Sequence, residues 1–585
     1  MPAELPLVPS AIALATSALL FFIPRRNGLT HLLAIVLIVL GAALPLALDP
    51  LIDPSRAAGR ALWQWSAVGG PTIQASYRLD ALSAVALALV VAYAGAAMAT
   101  AGRAERRHPA LASLILASGL VTIALVVTDD LVAAIVVLAV VAALTVLALL
   151  AVAPAAATAR AAAYLSIGLQ AWVLAAILVS RSGSPTFVLG AVPESAVTAG
   201  AMLAATLGAL LFAGLYPVVA WSVTPHDGAR DPGPLGSLVL MPAGIGATFL
   251  LIRLLGASGL VTSDITLPEL SLEVRLAIVV LVLLSVAVAL AASGRVPMRP
   301  IAVGIVAVVL VAALPYLGWA HVVLIAAILT VGYAGVVSLA LPEQWEAVRS
   351  DLALVAIWIA IATGSPLGIA GGIVALFARA AAAFASSLWL VPHRDYVALV
   401  GGSAVFVAGA IVVGAGALTS ADPVAKALAV TAAVLLVVLE LAQVGRRFRV
   451  ANVPADLDIA SAVVAFLLAL LATIVVVPLE ADLRRHLPAP AAISVAHIAA
   501  IAVGAALAVV LARTVRPLVP YFEAAAERSE PAVRALDPAP IGVGAFRAIE
   551  AAATRSSVAF GIFERRAGVW LATAVIVGLL VWAVR

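Results

Sequence analysis

The chain is a succession of long apolar runs separated by short polar gaps. A run of about 20 apolar residues is long enough to cross the hydrocarbon core of a bilayer as a helix. The runs are continuous and do not alternate with polar residues, which excludes a transmembrane β-barrel. They predict about 17 transmembrane helices, in windows near 9–24, 30–48, 79–101, 109–127, 130–153, 160–180, 196–222, 235–255, 273–293, 300–316, 319–341, 351–364, 367–391, 397–417, 424–444, 460–478, 491–513 and 568–584. The Ala-rich stretch 351–391 reads either as two short helices or as one broken helix.

The two ends of the chain carry different signals. The first apolar run has no basic residues before it and no small-residue cleavage site after it, so it is expected to remain as a membrane helix. Residues 515–567 mix charges with Phe, Val and Ile at helical spacing. They predict an amphipathic helix lying along the membrane surface before a final membrane anchor, with a plain cytoplasmic linker as the alternative.

The amino-acid composition excludes several classes of protein and of chemistry. With 65% hydrophobic and 11% charged residues and a mean hydropathy of +1.20, a soluble protein is excluded. The net charge of +4 resides in the gaps between runs, so nucleic-acid binding is not expected. The absence of cysteine removes disulfides, Cys-ligated metals and thiol catalysis. No nucleophile–base pair, metal-ligand cluster or phosphate-binding loop is recognisable, so we expect no cofactor, no metal and no catalysis within this chain.

Arginines in the short loops predict the orientation. If the spans alternate, one side of the membrane collects most of these arginines, and that side is expected to be cytoplasmic: Arg25, Arg26, Arg103, Arg106, Arg107, Arg295, Arg299, Arg446, Arg447 and Arg449. The N-terminus, the segment 49–78 and the loops 181–195 and 257–272 are then outside. Arg484 and Arg485 are exceptions, with Glu480 and Asp482 beside them. From the placement of the arginines and the compositional bias towards Ala, Val and Arg, we predict a multi-pass protein of a bacterial inner membrane.

Polar groups inside the apolar runs are candidates for ion transport, because an ionised side chain at mid-helix costs about 2.5–3.5 kcal/mol on insertion scales. Arg379 lies in an almost purely apolar run, and Glu440 is the best membrane carboxylate to pair with it, so we expect the two side chains to meet. A structural ion pair without a transport role is the alternative. Lys426, the one lysine of the chain, is a further ion-path candidate.

Other polar residues have simpler explanations. Asp129 and Asp130 begin a predicted helix, where capping explains both. Gln170, His321 and His497 are expected to be packing residues. Tyr333 and Thr330 share the helix of His321, and Tyr333 and His321 are retained as ion-path candidates.

Interrupted helices are the second functional signal, since freed backbone groups are tolerated in a membrane only where protein or water covers them. Three segments fit: 214–234, where Pro217 precedes a polar loop containing His226 and Asp227; 293–300; and 362–372, which contains Gly364 and Pro366.

The segment GLYPVVAWSVTPHDGARDPGPLGSL, residues 214–238, resembles a signature of the antiporter-like subunits of respiratory complex I, energy-converting hydrogenases and multisubunit cation/proton antiporters: G-L-F-P-x-H-x-W-L-P-D-A-x-x-x-A-P-T-P-V-S-A-L. The matching positions are Gly214, Tyr216, Pro217, Trp221, Pro232, Pro234 and Leu238. RLDALSA (78–84), TDDL (128–131), VPMRPIAVG (296–304) and GSPLGIAGG (364–372) resemble further family motifs in the family's order. The resemblance covers roughly residues 78–380.

The resemblance implies an all-helical fold with two inverted repeats, each with one broken helix. Pro217 is expected to break the first, and the run 319–341, with Gly332 and Gly335 as its weak points, the second. The implied organisation is N-terminal helices and an external loop (1–78), an antiporter-like core (79–391), additional spans (392–514), and a lateral helix with a final anchor (515–585).

The proton-path residues of the family are missing. Its glutamate falls on Ala139, its lysine on Phe212, its histidine near Leu240, and its later H-x-x-x-K pair near Leu329 and Tyr333. Only the Tyr333 phenol is ionisable, with a reference pKa of about 10. Three hypotheses follow: a divergent subunit that conducts protons or cations within a multisubunit complex, a degenerate subunit kept as a scaffold for its membrane partners, and an independent transporter of a small anion or other solute.

Overall fold

The computed structural model describes residues 58–66, 70–101, 110–153, 155–216, 233–258, 318–340, 345–387 and 394–448. These residues form two strands and eleven α-helices, with one short 3₁₀ turn at Glu194–Ala196. The elements are β1 (Ala58–Ser66), β2 (Thr72–Leu79), α1 (Ala81–Ala101), α2 (Leu111–Val127), α3 (Leu131–Val152), α4 (Ala155–Arg181), α5 (Ala199–Ala213), α6 (Gly233–Ser258), α7 (Trp319–Ala340), α8 (Trp345–Thr363), α9 (Pro366–Ser387), α10 (Arg394–Ala417) and α11 (Pro423–Phe448).

Every predicted membrane window that falls on described residues is a helix. Six of the described helices, α1, α3, α4, α6, α7 and α11, are long and apolar enough to cross a membrane. The other five contain apolar stretches of 10–17 residues. The predicted spans 9–24, 30–48, 273–293, 300–316, 460–478, 491–513 and 568–584, the lateral helix at 515–567 and the segment 293–300 lie outside the described residues.

The segment expected to be an external loop contains an antiparallel hairpin instead. β1 pairs with β2 over Ala58–Ser66 and Thr72–Leu79, with an irregularity between Ala61 and Trp63. The reason is visible in β2, where Ile73, Ala75, Tyr77 and Leu79 alternate with polar residues. Tyr77 and Leu79 are buried against the helices, so this half-apolar strand covers the bundle with one face.

One end of the bundle gathers several loops. Thr72 bridges to Thr186 in the loop after α4, and Asp130 at the start of α3 bridges to Val188 in the same loop. The hairpin, the α2–α3 turn and the loop 182–198 therefore share one end. The alternation of spans predicted this shared side.

The predicted break in the run 319–341 is wrong. α7 is one continuous helix of 22 residues. Among the described residues, the glycines with positive φ are Gly183, Gly214 and Gly364. Gly332 and Gly335 lie inside α7 and are not among them. A glycine costs a helix only about 1 kcal/mol relative to alanine, and without a proline nothing interrupts the backbone hydrogen bonds of α7.

The stretch 351–391 is two helices. Gly364 adopts the left-handed conformation, φ 63°, between α8 and α9, and Pro366 is the first residue of α9, where its missing N–H costs no hydrogen bond. A Cβ at Gly372 would lie 2.7 Å from the Cα of Ile357, and one at Gly368 would lie 3.1 Å from the Cβ of Ala360. α8 and α9 therefore pack antiparallel, and Gly364 forms the turn of a helical hairpin.

Small residues bring α9 and α10 together. Gly402, Gly409 and Gly416 recur every seven residues on α10 and face α9. A Cβ at Gly409 would lie 2.7 Å from the carbonyl oxygen of Gly371, and a Cβ at Gly371 would lie 2.7 Å from the carbonyl oxygen of Gly409. Such seams let membrane helices approach closely enough for backbone packing.

Candidate ion-pair site in the helix bundle

Arg379 on α9 meets Glu440 on α11, as the sequence predicted. Nη1 of Arg379 donates to Oε1 of Glu440 at 2.8 Å, and Nη2 donates to Oε2. The side chains are 3% and 1% exposed. The two-point geometry is the strongest arrangement available to a guanidinium and a carboxylate.

A second guanidinium completes the cluster, and the sequence analysis missed it. Nη2 of Arg349 on α8 lies 3.2 Å from Oε1 of Glu440 and donates to the hydroxyl of Ser403 on α10 at 2.7 Å. Arg349 lies just before the predicted window 351–364, in the gap between two apolar runs. α8 in fact begins at Trp345, and this early start carries Arg349 into the bundle.

The surroundings hold these charges in place. Cζ of Arg379 lies 4.0 Å from the centre of the Phe406 ring on α10, a cation–π contact. We call Arg349, Arg379, Glu440 and Ser403 the four-helix charge cluster, because they come from α8, α9, α11 and α10. A guanidinium keeps its proton at any physiological pH. The cluster can therefore fix charge and position helices, and its arginines cannot relay protons.

A polar contact extends from the charge cluster along α11. Gln443, one turn after Glu440, donates through Nε2 to the hydroxyl of Ser338 on α7 at 3.0 Å. At their other ends, Nε2 of His321 on α7 lies 2.8 Å from Oδ2 of Asp422, which precedes α11. α7 and α11 therefore run parallel, linked by a polar contact at each end.

The remaining ion-path candidates lie away from the charge cluster. Lys426 precedes Glu440 by 14 residues on α11, or about 21 Å of helix, and is partly exposed. His321 is at the start of α7, where Nδ1 accepts the Gly318 N–H at 2.9 Å. The structure brings Arg379 and Glu440 together but leaves Lys426 and His321 near the opposite end of α11.

Tyr333 belongs to a third location, where α5 ends. Gly214 ends α5 in the left-handed conformation, and the N–H of Tyr216 donates to the hydroxyl of Thr330 on α7 at 2.8 Å. The rings of Tyr216 and Tyr333 are 5.5 Å apart. Thr330 thus satisfies a backbone group that the end of α5 leaves free inside the bundle.

Of the predicted motif, Pro217, Trp221, His226, Asp227 and Pro232 lie outside the described residues, and Pro234 lies in the first turn of α6.

The structure shows the surroundings of the five positions at which the family's proton-path residues are replaced. Phe212 and Leu240 are buried in the apolar core, Ala139 is half-buried, and Leu329 is 46% exposed on the outside of α7. Tyr333 is buried. Apart from its phenol, no ionisable group occupies these five positions.

A second charge cluster closes the hairpin end of the bundle. Asp80, before α1, pairs with Arg253 of α6 at 2.8 Å and with Nε of Arg78 at 3.1 Å, and it accepts the N–H of Ser83 at 2.8 Å. Arg253 also lies 3.9 Å from Asp129. The sequence analysis missed this set because Arg253 lies near the end of an apolar window. Asp130 caps α3 by accepting the N–H groups of Val132 and Ala133, as predicted. The prediction that Asp129 also caps this helix is wrong, because its carboxylate faces Arg253.

The two neighbouring aspartates respond differently to their surroundings. Burial acts to raise the pKa of Asp80, but Arg253, the Ser83 hydrogen bonds and Arg78 together lower it below its ordinary value. For Asp129, burial dominates over the attraction of Arg253 and Arg78, and its pKa is raised. Asp80 is therefore the anchoring carboxylate of this cluster.

Comparisons with known proteins identify the fold. No protein-family model and no curated protein sequence matches the chain. Among solved structures, a chain of respiratory complex I from Thermus thermophilus is similar at a TM-score of 0.53 and 16% identity, covering 87% of this chain and 99% of that one. A chain of the Mrp complex from a Dietzia species reaches 0.63 at 17% identity, with 99% of this chain spanning 63% of that one. A chain of the membrane-bound sulfane sulfur reductase, an archaeal respiratory membrane complex, reaches 0.53 at 14% identity, covering 80% of this chain and 75% of that one. The protein is a multi-helix membrane protein that shares its fold with chains of respiratory complex I, the Mrp complex and the membrane-bound sulfane sulfur reductase, as the resemblance over residues 78–380 predicted.

Proposed function

We propose that this chain is an antiporter-like integral membrane subunit of a multisubunit complex I-like, hydrogenase-like or cation/proton antiporter assembly, and that it acts as a scaffold without conducting protons along the family's path. The observation that carries the proposal is the replacement of the family's proton carriers. Ala139, Phe212, Leu240 and Leu329 cannot accept or donate a proton, so a relay along these positions retains only the phenol of Tyr333.

The four-helix charge cluster supports the same conclusion. Two guanidiniums bracket the carboxylate of Glu440, and Ser403 binds one of them. Breaking such a buried pair costs about 3–5 kcal/mol, because it leaves an uncompensated charge. A group of fixed charges that ties four helices together suits a structural role.

The wider architecture belongs to the proposal. It comprises about 17 transmembrane helices in a bacterial inner membrane, the N-terminus outside, two inverted repeats of which the second has an unbroken α7, and a lateral helix at 515–563 before the final anchor. The partners are other membrane subunits and the lipid bilayer.

The proposal is tested by ion flux. The complete complex, purified with its partner subunits and reconstituted in liposomes, is compared with its Arg379→Gln and Tyr333→Phe variants. We expect unchanged proton and cation flux in every variant whose subunit composition is intact. A loss of about tenfold or more in either intact variant would overturn the scaffold role. Tyr333→Phe removes one hydroxyl only, so it keeps the test decisive if Arg379→Gln does not assemble.

A further inference from the structure

The outer face of α4 carries an amide at the middle of a candidate membrane span. α4 provides a candidate span over Ala157–Arg181, 25 residues long, and Gln170 is one residue past its midpoint. The side chain of Gln170 is exposed. The opposite face of α4 packs on α5, where Gly168 and Trp172 contact the backbone and side chains around Gly208.

The face around Gln170 is otherwise apolar. Ile167, Val173, Leu174 and Ile177 are each 43–49% exposed on the same side of α4. The neighbouring helix α3 adds Val136, Val140, Leu147 and Leu150 at similar exposure. We call these residues and Gln170 the α3–α4 face.

Gln170 differs from the other exposed polar residues in the middle of the described spans. The hydroxyl of Ser166 donates to the Ala162 carbonyl and that of Thr431 to the Ala427 carbonyl, both at 2.7 Å, so each is satisfied by its own helix. Among the residues that the structure describes, no hydrogen bond involves the Gln170 amide. An amide facing hydrocarbon without a partner is costly.

Small residues beside Gln170 would admit a helix. Ala159 and Ser166 are exposed and Ala162 and Ala163 half-exposed on the turns that precede it. Their spacing of three and four residues places them on one side of α4. Small side chains at this spacing let a second helix approach, and a glutamine amide then supplies hydrogen bonds that hold the two helices together.

We infer that the α3–α4 face docks a transmembrane helix of another subunit, and that this helix presents a hydroxyl, amide or carboxyl group to Gln170 at the middle of the membrane. The inference rests on the proposed function, since it names the surface through which the scaffold holds a partner. A partner of this chemistry satisfies both the donor and the acceptor of the amide. Lipid chains supply neither.

The test is photo-crosslinking in the purified complex. A photoreactive amino acid replaces Leu174 on the α3–α4 face or, as a matched control, Val438 on the exposed face of α11. We expect the Leu174 probe to form an adduct with a second integral membrane polypeptide of the complex. Adducts with lipid only, with a second copy of this chain or with another segment of the same chain would overturn the inference.

Substitution of the amide provides the second measurement. Gln170→Leu keeps the size of the side chain, and we expect it to weaken retention of the crosslinked partner by about fivefold, while Thr431→Val on α11 leaves retention unchanged. Unchanged retention in Gln170→Leu would contradict the inference even if the subunit remains in a complex. Failure of the proposed function is a different result, in which the wild-type chain purifies without any partner subunit.

Discussion

A buried carboxylate between two guanidiniums makes the three residues depend on each other. Replacing Glu440 by Gln would remove the negative charge that both Arg349 and Arg379 contact. We expect Glu440→Gln to destabilise the protein by about 3 kcal/mol or more, measured as a lower midpoint of thermal unfolding of the purified complex in detergent. Lys426→Gln, on the same helix and partly exposed, is the control and should leave the midpoint unchanged. Equal midpoints for wild type and Glu440→Gln would show that the cluster does not hold the helices.

The two aspartates at the hairpin end should differ although both face Arg253. Asp80→Asn is expected to cost about 3 kcal/mol, because it removes the partner of two arginines. Asp129→Asn should cost about 1 kcal/mol or less, because burial raises the pKa of Asp129 and folding therefore does not favour its ionised form. Thermal unfolding of the two variants at neutral pH gives the comparison, and a more damaging Asp129→Asn would contradict this assignment.

The pH dependence of the Asp80 contribution has a defined sign. The pKa of Asp80 is lower in the folded protein than its ordinary value of 3.8, so folding favours the ionised form. The stabilisation is complete above this ordinary value and is lost as the pH falls from there through the lowered pKa. The difference in unfolding midpoint between wild type and Asp80→Asn should therefore be constant at neutral pH and shrink below about pH 3.8. A difference that grew on acidification would refute this sign.

The sequence revealed part of the candidate site. Arg379 stood out because its surroundings are apolar, and pairing with Glu440 followed from the cost of leaving it alone. Arg349 and Arg253 could not be recognised in the same way, because each lies at the margin of an apolar window, where an arginine ordinarily reaches the membrane surface. Both lie inside the bundle because α8 begins before Arg349 and α6 continues beyond Arg253.

At the scale of elements, the apolar runs predicted where the helices lie, but they did not predict the hairpin before α1 or the continuity of α7. The predicted windows that lie on described residues fall on α1 to α11, because a membrane span needs a long apolar run whatever its neighbours do. The hairpin was missed because β2 is a short alternating strand inside a segment read as a loop. The break expected in α7 was wrong because Gly332 and Gly335 remain helical in the absence of a proline.

The glycine seam between α9 and α10 gives a prediction at this scale. A Cβ at Gly409 would lie 2.7 Å from a carbonyl oxygen and 2.9 Å from the backbone nitrogen of Ala375, so both helices must move apart to accept it. We expect Gly409→Ala to lower the unfolding midpoint by an amount corresponding to about 1–3 kcal/mol. Gly332→Ala in α7 is the matched control, because a Cβ there meets nothing within 4 Å, and it should be neutral or slightly stabilising. A Gly409→Ala protein as stable as the control would show that the seam tolerates separation.

At the scale of the whole molecule, several contacts fix which loops share a side of the bundle. The hairpin and the loop 182–198 meet through Thr72 and Thr186. Trp319, at the start of α7, donates to Thr206 of α5 at 2.8 Å, and Tyr216 beyond the end of α5 donates to Thr330 further along α7. α5 and α7 are therefore parallel. Since α11 is parallel to α7, Asp422 lies at the same end as the loop 182–198.

This arrangement makes the orientation testable with single cysteines, because the chain contains none of its own. Arg446 and Arg447 lie in the last turn of α11 and Arg449 follows it along the chain, so the positive-inside rule predicts that the end with Asp422 is outside the cell. Cysteines replacing Ser182, after α4, and Ala421, before α11, should react with a membrane-impermeant maleimide in intact cells. A cysteine at Ala153, between α3 and α4, should react only after the membrane is permeabilised. The reverse pattern would invert the orientation but keep the fold, whereas labelling of Ser182→Cys and Ala421→Cys from opposite sides would contradict the parallel arrangement of α5, α7 and α11.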